Sequence, residues 1–250
     1  MSNSVFTLGL DIDNVLNNCA EWFIDRIDEC FGTVIDVGTK AQYMFGEHIP
    51  IAQEAQILNT AHEFFEQMLP HSLAVHFLQH LHSVANAVEQ QVRFIYITDR
   101  RFTGFSRSDL IDLPHRQVTY DLTERWLLNS GFPVTKLFLE GDNGFTKGQI
   151  AAAECIDVFI EDAPRKACDL ATHMSKSVLS YNHEPIWLMV KPWNRLAFVS
   201  DFGVEVLPDN LRFVKDWSEV ASLLVRILKE NKILSIAQIN ALEAYKKTFF

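Results

Sequence analysis

The stretch Phe6-Thr-Leu-Gly-Leu-Asp11-Ile-Asp13-Asn-Val-Leu16 constrains the chain most: an apolar run without charge stops at two aspartates separated by one residue. A strand that is apolar at successive positions has no face to give to water, so Val5 to Ile12 is expected to be buried on both faces. Strands of this kind belong in parallel sheets, whose carboxyl ends are where open α/β folds collect their functional groups. Taken alone, the stretch is equally a strand followed by an acidic turn.

Further short apolar runs follow at Val92 to Ile97, Lys136 to Glu140, Val158 to Ile160 and Ile186 to Val190. Between them lie segments with helical spacing. Ser72 to Gln91 predicts a helix capped by Ser72, Thr119 to Ser130 one closed by Gly131, and Thr146 to Glu154 a short one. A helix starts at Pro164, which suits a first helical position. Phe102 to Arg116 is polar and broken by Gly104 and Pro114, so it is expected to be a loop. Trp217 to Asn231 and a shorter Ile236 to Tyr245 complete the helices. Strands alternating with helices predict a mostly parallel sheet covered on both faces. The segment from Asn17 to about Pro70 differs. Phe23, Ile27, Cys30 and Phe31 recur at helical spacing, as do Ile57, Ala61, Phe64, Phe65 and Met68, with Gly32, Gly38, Gly46 and Pro50 between them. It reads as a small helical module inserted after the first strand.

The chain's 250 residues suffice for one substantial core and a smaller module, and 48% hydrophobic with 22% charged residues is ordinary for a globular protein. A net charge of -10 argues against general binding to nucleic acid or anionic membranes. It leaves room for a small phosphorylated substrate, since a divalent cation reverses the local field. Cys19, Cys30, Cys155 and Cys168 lack CxxC spacing and are expected to be reduced, mostly buried thiols. No run approaches the roughly 18 apolar residues of a membrane span, and no basic region precedes an apolar one at the amino terminus. A cytoplasmic location is the default expectation.

Asp11, Asp13, Thr98 and Glu161-Asp162 each follow an expected strand, and Lys147 opens the helix after the third. A parallel sheet brings these positions to one edge. The set holds carboxylates, a hydroxyl and one ammonium, a mixture that suits magnesium, which prefers oxygen ligands and shares them with phosphate. A threonine after a strand is ordinarily a turn hydroxyl or cap, and a lysine in a first helical turn is ordinarily a solvated charge. The helix dipole mildly disfavours lysine there, which fits a functional reason for Lys147.

Four segments, Leu8-Gly-Leu-Asp-Ile-Asp-Asn-Val15, Ile95-Tyr-Ile-Thr-Asp-Arg100, Lys147 and Phe159-Ile-Glu-Asp-Ala-Pro164, in this order resemble the haloacid dehalogenase superfamily. Lys191-Pro-Trp-Asn-Arg195 and the Phe64-Phe65 pair are similar to its 5'-nucleotidase branch, the cytosolic pyrimidine deoxyribonucleotidase-like proteins. The resemblance implies a Rossmann-like three-layer α/β core of residues 1–16 and 71–250, with residues 17–70 as a helical cap. It implies Asp11 as nucleophile, forming an aspartyl-phosphate. Asp13 would be the general acid and then the base, its backbone carbonyl also on the cation. Thr98 would donate to a phosphoryl oxygen and Lys147 would neutralise transition-state charge. Asp11, Asp13, Glu161 and Asp162 would form the magnesium site, with either Glu161 or Asp162 as the direct ligand. Asn14 stands where the family usually has glycine, but asparagine tolerates left-handed backbone.

The function so implied is a magnesium-dependent phosphomonoester hydrolase, a 5'-nucleotidase on nucleoside monophosphates. The alternatives are a phosphatase of sugar phosphates or other small esters, a phosphotransferase, and a non-catalytic binding protein retaining the fold. A homodimer stays open. Trp22, Tyr43, Phe45, Phe64 and Phe65 raise a base-stacking pocket against ordinary core packing, and packing is favoured for most. Trp193 and Asn194 are read as bracing the fourth motif. His76 and His80, four apart on a helix, read as surface residues.

Overall fold

The computed structural model describes residues 5–36, 48–50, 52–53, 56–57, 67–100, 113–174, 184–191, 194 and 208–250. Strands β1 (Phe6–Leu10), β2 (Val92–Thr98), β3 (Lys136–Leu139), β4 (Val158–Glu161), β5 (Ile186–Met189) and β6 (Leu211–Val214) form one sheet in the order β3-β2-β1-β4-β5-β6. Every pairing is parallel. The helices whose bounds are described are α1 (Cys19–Phe31), α2 (Ser72–Ala85), α3 (Leu113–Asn129), α4 (Lys147–Ala153), α5 (Pro164–His173), α6 (Trp217–Glu230) and α7 (Ile236–Phe249).

Alternate strand residues explain the uniformly apolar runs. Phe6, Leu8 and Leu10 of β1, Phe94 and Tyr96 of β2 and Val158 and Ile160 of β4 pack into one core with α2, α6 and α7. Ile95, Ile97, Phe159, Ile186 and Leu188 pack on the opposite face with α4 and α5. Both faces are therefore covered, and each buried large side chain contributes about 1.5–3 kcal/mol. Gly9 permits the close approach of β4: a Cβ there would lie 2.3 Å from the Phe159 ring. Overfilling a packed core costs about 1–3 kcal/mol, which holds the position to glycine.

β1 sits between β2 and β4, and the chain runs β1, β2, β3 to one side before crossing to β4 on the other. The carboxyl ends of β1 and β4 thus flank the topological switch point, the natural crevice of such a sheet. Trp217 of α6 donates from Nε1 to the Val15 carbonyl at 2.8 Å, pinning the turn that follows the aspartate pair.

A second, smaller cluster lies beside this core: Ile27, Ile35, Ile49 and Ile57, packed against Trp22, Phe23, Ile24 and Phe31. The chain leaves and returns at one place, where Asn17 bridges Pro70 and the His71 amide donates to the Leu16 carbonyl at 2.7 Å. Most of the expected helix through Ala61, Phe64 and Phe65, together with Tyr43, Phe45, Trp193 and Arg195, lies outside the described residues.

The structure corrects several expectations. β6 is a sixth, unanticipated strand, and α7 is as long as α6. α3 begins at Leu113 rather than Thr119, because a proline at position 114 is tolerated in a first helical turn. α2 ends at Ala85, and its N-cap is His71, not Ser72. Of the cysteines only Cys19 is buried; Cys30 and Cys155 are exposed and Cys168 is half-buried. His76 is exposed, whereas His80 is half-buried and stacks on Tyr245 at 4.2 Å between ring centroids. No helix among the described residues is long and apolar enough to cross a membrane.

Candidate active site

Asp11 stands one residue beyond β1, where its amide still donates to the Ile160 carbonyl of β4 at 2.9 Å. Strand register thus places it beside Glu161, the last residue of β4. Lys147 reaches this gap from α4. Its Nζ donates to Asp11 Oδ1 at 2.8 Å and to Glu161 Oε2 at 2.6 Å, with only 1% of the side chain exposed.

The amino end of α4 is built to hold that lysine. Thr146 caps the helix reciprocally with Gln149. The Asp169 carboxylate of α5 accepts from the Gly148 amide at 2.7 Å and the Thr146 hydroxyl at 3.1 Å. Gly148 lets α5 come this near, since a Cβ there would lie 2.5 Å from the Asp169 carbonyl oxygen.

Glu161 and Asp162 are both fully buried but differently engaged. Glu161 Oε2 holds Lys147, and Oε1 accepts from the amides of Asp162 at 3.0 Å and Ala163 at 2.9 Å. Among the described residues neither Asp162 carboxylate oxygen has a hydrogen-bond partner. Asn194, itself buried, donates from Nδ2 to the Asp162 carbonyl at 3.0 Å and to that of Met189 at 2.5 Å. The asparagine therefore braces this turn.

Asp13 lies at the mouth, its side chain 15% exposed. Asn14, the next residue, takes the left-handed backbone with φ 61°. Its side chain accepts from the Ala20 amide at 2.7 Å, which ties the turn to the start of α1. Thr98 ends β2 with 1% of its surface exposed. The neighbouring acids Asp99 and Glu140 share Lys166 at 2.9 and 2.6 Å, so their charge is already answered.

The strand ends therefore bring Asp11, Lys147, Glu161 and Asp162 into one buried cluster. Asp13 stands at its mouth, and Thr98 lies on the β2 edge. Sequence reasoning passed over Arg100, whose guanidinium grips Asp13. The only signal was its place directly after the Thr98-Asp99 pair.

Asp11, Glu161 and Asp162 offer carboxylate oxygens all within 4.8 Å of one another. Among the described residues Lys147 is the one ammonium in ion-pair contact with these three buried acids, with the Lys191 charge also easing Asp162, so the cluster is short of positive charge. Burial pushes Asp11 up to about 8, with Glu161 adding to the shift and Lys147 opposing it. Burial, then the Glu161 and Asp11 charges, raises Asp162 well above the ordinary carboxylate range. Burial alone would lower Lys147, but Asp11 and Glu161 outweigh it and hold the ammonium protonated. All-oxygen donors, unsatisfied buried carboxylate oxygens and excess negative charge fit a hard divalent cation such as magnesium.

A stability signature follows. Asp11 binds its proton more tightly folded, at about 8, than unfolded, near 3.8. The metal-free fold should therefore lose stability as pH rises from about 4 to about 8. Magnesium should raise the thermal midpoint more at pH 8 than at pH 5, because protons compete for the same oxygens. Equal shifts at the two pH values, read by calorimetry, would contradict this.

No protein-family model matches the chain, and no curated protein matches it. Among solved structures it is similar to D,D-heptose 1,7-bisphosphate phosphatase from B. bronchiseptica, complexed with magnesium and phosphate. The TM-score is 0.47 and the identity 15%, over 89% of this chain and 99% of that one. A likeness of that strength carries no weight for activity, so the fold and site rest on the chain's own sheet and side chains.

Proposed function

We propose that the chain is a magnesium-dependent phosphomonoester hydrolase of the haloacid dehalogenase type, acting through an aspartyl-phosphate on Asp11. The observation that carries this reading is the switch-point cluster: a lysine-held Asp11 beside an Asp162 whose two buried oxygens have no hydrogen-bond partner among the described residues. Phosphoryl transfer asks a protein mainly for in-line positioning and charge stabilisation, and this cluster supplies both.

Asp11 Oδ1 is held by Lys147, and among the described residues Oδ2 accepts no hydrogen bond. That oxygen attacks phosphorus as the bond to the leaving alcohol breaks, and Asp13 passes its proton to the alcohol. Water then attacks the aspartyl-phosphate, Asp13 takes up its proton, and inorganic phosphate leaves a free Asp11. Lys147 lies where negative charge grows on the transferring group, and Thr98 would donate to a phosphoryl oxygen. Asp11, Asp162 and the Asp13 carbonyl would hold magnesium, which when bound neutralises phosphoryl charge and aligns the group for attack. Glu161, with both oxygens engaged, serves as the lysine's counter-ion. The enzyme so described needs no membrane or nucleic-acid polymer as partner.

The small cluster around Ile27 would belong to a helical cap of residues 17–70 over the site. Nucleoside 5'-monophosphates are the favoured substrate class, on the resemblance of the motifs and of the Lys191–Arg195 segment to the 5'-nucleotidase branch. Sugar phosphates are the alternative. The test is a panel of nucleoside monophosphates, sugar phosphates and simple esters, assayed with magnesium and with chelator. Magnesium-dependent phosphate release, fastest from nucleotides, is expected. Release indifferent to chelator would remove the metal, and faster release from sugar phosphates would replace the substrate class.

A further inference from the structure

Arginine directly after a strand is ordinarily a surface charge, yet the Arg100 side chain is only 2% exposed. Its Nε donates to Asp13 Oδ2 at 2.9 Å and Oδ1 at 3.2 Å, and its Nη2 to Oδ1 at 2.6 Å. Asn17 adds a third donor to Oδ1 at 3.0 Å. The guanidinium lies 5.5 Å from the centroid of the buried Trp126 ring. A desolvated, fork-to-fork pair fixes the plane of a carboxylate more firmly than a flexible ammonium can.

From this geometry we infer that Arg100 is the positioning residue of the proton carrier, and that Asp13 Oδ2 is the oxygen that carries the proton. The inference rests on the phosphatase reading above. Oδ1 is saturated by Nη2, Nε and Asn17, whereas among the described residues Oδ2 accepts only from Nε. Oδ2 therefore keeps a lone pair for the proton that goes to the leaving oxygen. Once the proton has gone, Asp13 is a carboxylate between the two half-reactions. Arg100 holds it, charged and aimed, until it takes a proton from the attacking water. Orientation matters at this scale, because misplacing a reacting group by about 1 Å can cost about 100-fold in rate.

The experiment compares Arg100→Gln, Arg100→Lys, Asp13→Asn and Asp13→Asn/Arg100→Gln on two esters. One is p-nitrophenyl phosphate, whose leaving group needs no proton; the other is an alkyl phosphate, whose leaving group does. With Arg100→Gln, kcat on the alkyl ester should fall about 100-fold, the lower range for general acid–base catalysis. The pre-steady-state release of nitrophenolate should stay within about threefold of wild type, and Arg100→Lys should recover about tenfold on the alkyl ester. Residues that act as a unit are non-additive, so the double variant should be no slower than Asp13→Asn alone.

Tyr96→Phe, a buried change on β2 outside the site, controls for packing and should leave the alkyl-to-aryl ratio unchanged. Arg100→Lys keeps the buried charge and carries the comparison if Arg100→Gln does not fold. Equal losses on the two esters, or multiplied losses in the double variant, would overturn the role of Arg100 while the phosphatase reading stood. A wild type inactive on every ester would overturn both.

Discussion

Asp11→Asn is expected to be nearly inactive yet more stable than the wild type. Loss of a covalent nucleophile typically costs about 10⁴-fold or more in kcat, and the amide cannot replace the attacking oxygen. Stability should move the other way. Asp11 is one of three clustered buried carboxylates, and burial already pushes it up to about 8. A neutral amide of the same shape can still accept from Lys147 while removing part of the excess charge. At pH 8 without metal, the thermal midpoint of Asp11→Asn should therefore exceed that of wild type, and magnesium should raise it less. Such opposition between stability and activity is the usual mark of a functional site. Steady-state assay and calorimetry on one preparation check both signs, and an active variant or a lower midpoint would contradict the assignment.

Lys147→Met should lose both. Methionine fills much the same volume, but it leaves Asp11 and Glu161 without the ammonium that reaches them at 2.8 and 2.6 Å. Removing one partner of a buried ion pair costs about 3–5 kcal/mol. The loss should be greater near pH 8 than near pH 5, because at pH 5 Asp11, pushed up to about 8, already holds a proton and asks less of the ammonium. On the phosphatase reading, turnover should fall to background, because the same charge would stabilise the transition state. Denaturant melts at the two pH values measure the first effect. A stability loss independent of pH would mean that Lys147 acts by packing alone.

Much of the sheet was legible in the sequence because its strands are buried on both faces. Phe6–Leu10 is polar only at Thr7, and Phe94–Ile97 runs buried between Arg93 and Thr98, so both read as strands whose ends announce the acids. β6 was not legible. It is an edge strand of only four residues, with Arg212 interrupting so short an apolar run, as edge strands often allow. The Asp11, Lys147, Glu161 and Asp162 grouping followed from topology, since parallel strands converge at their carboxyl ends. The separate duties of Glu161 and Asp162 did not, because they turn on which carboxylate meets the amides of residues 162 and 163. Arg100 was hidden for a similar reason. Nothing in the order Thr98-Asp99-Arg100 says that its guanidinium turns inward over Trp126 to grip Asp13.

The most direct measurement of the central claim is chemical capture of the intermediate. The protein is mixed with magnesium and a ³²P-labelled phosphate ester, quenched in acid during turnover, digested and mapped. The account predicts label on the peptide carrying Asp11, stable in acid, released by hydroxylamine as an acyl phosphate is, and missing from Asp11→Asn. Turnover without label, or label on any other residue, would contradict it.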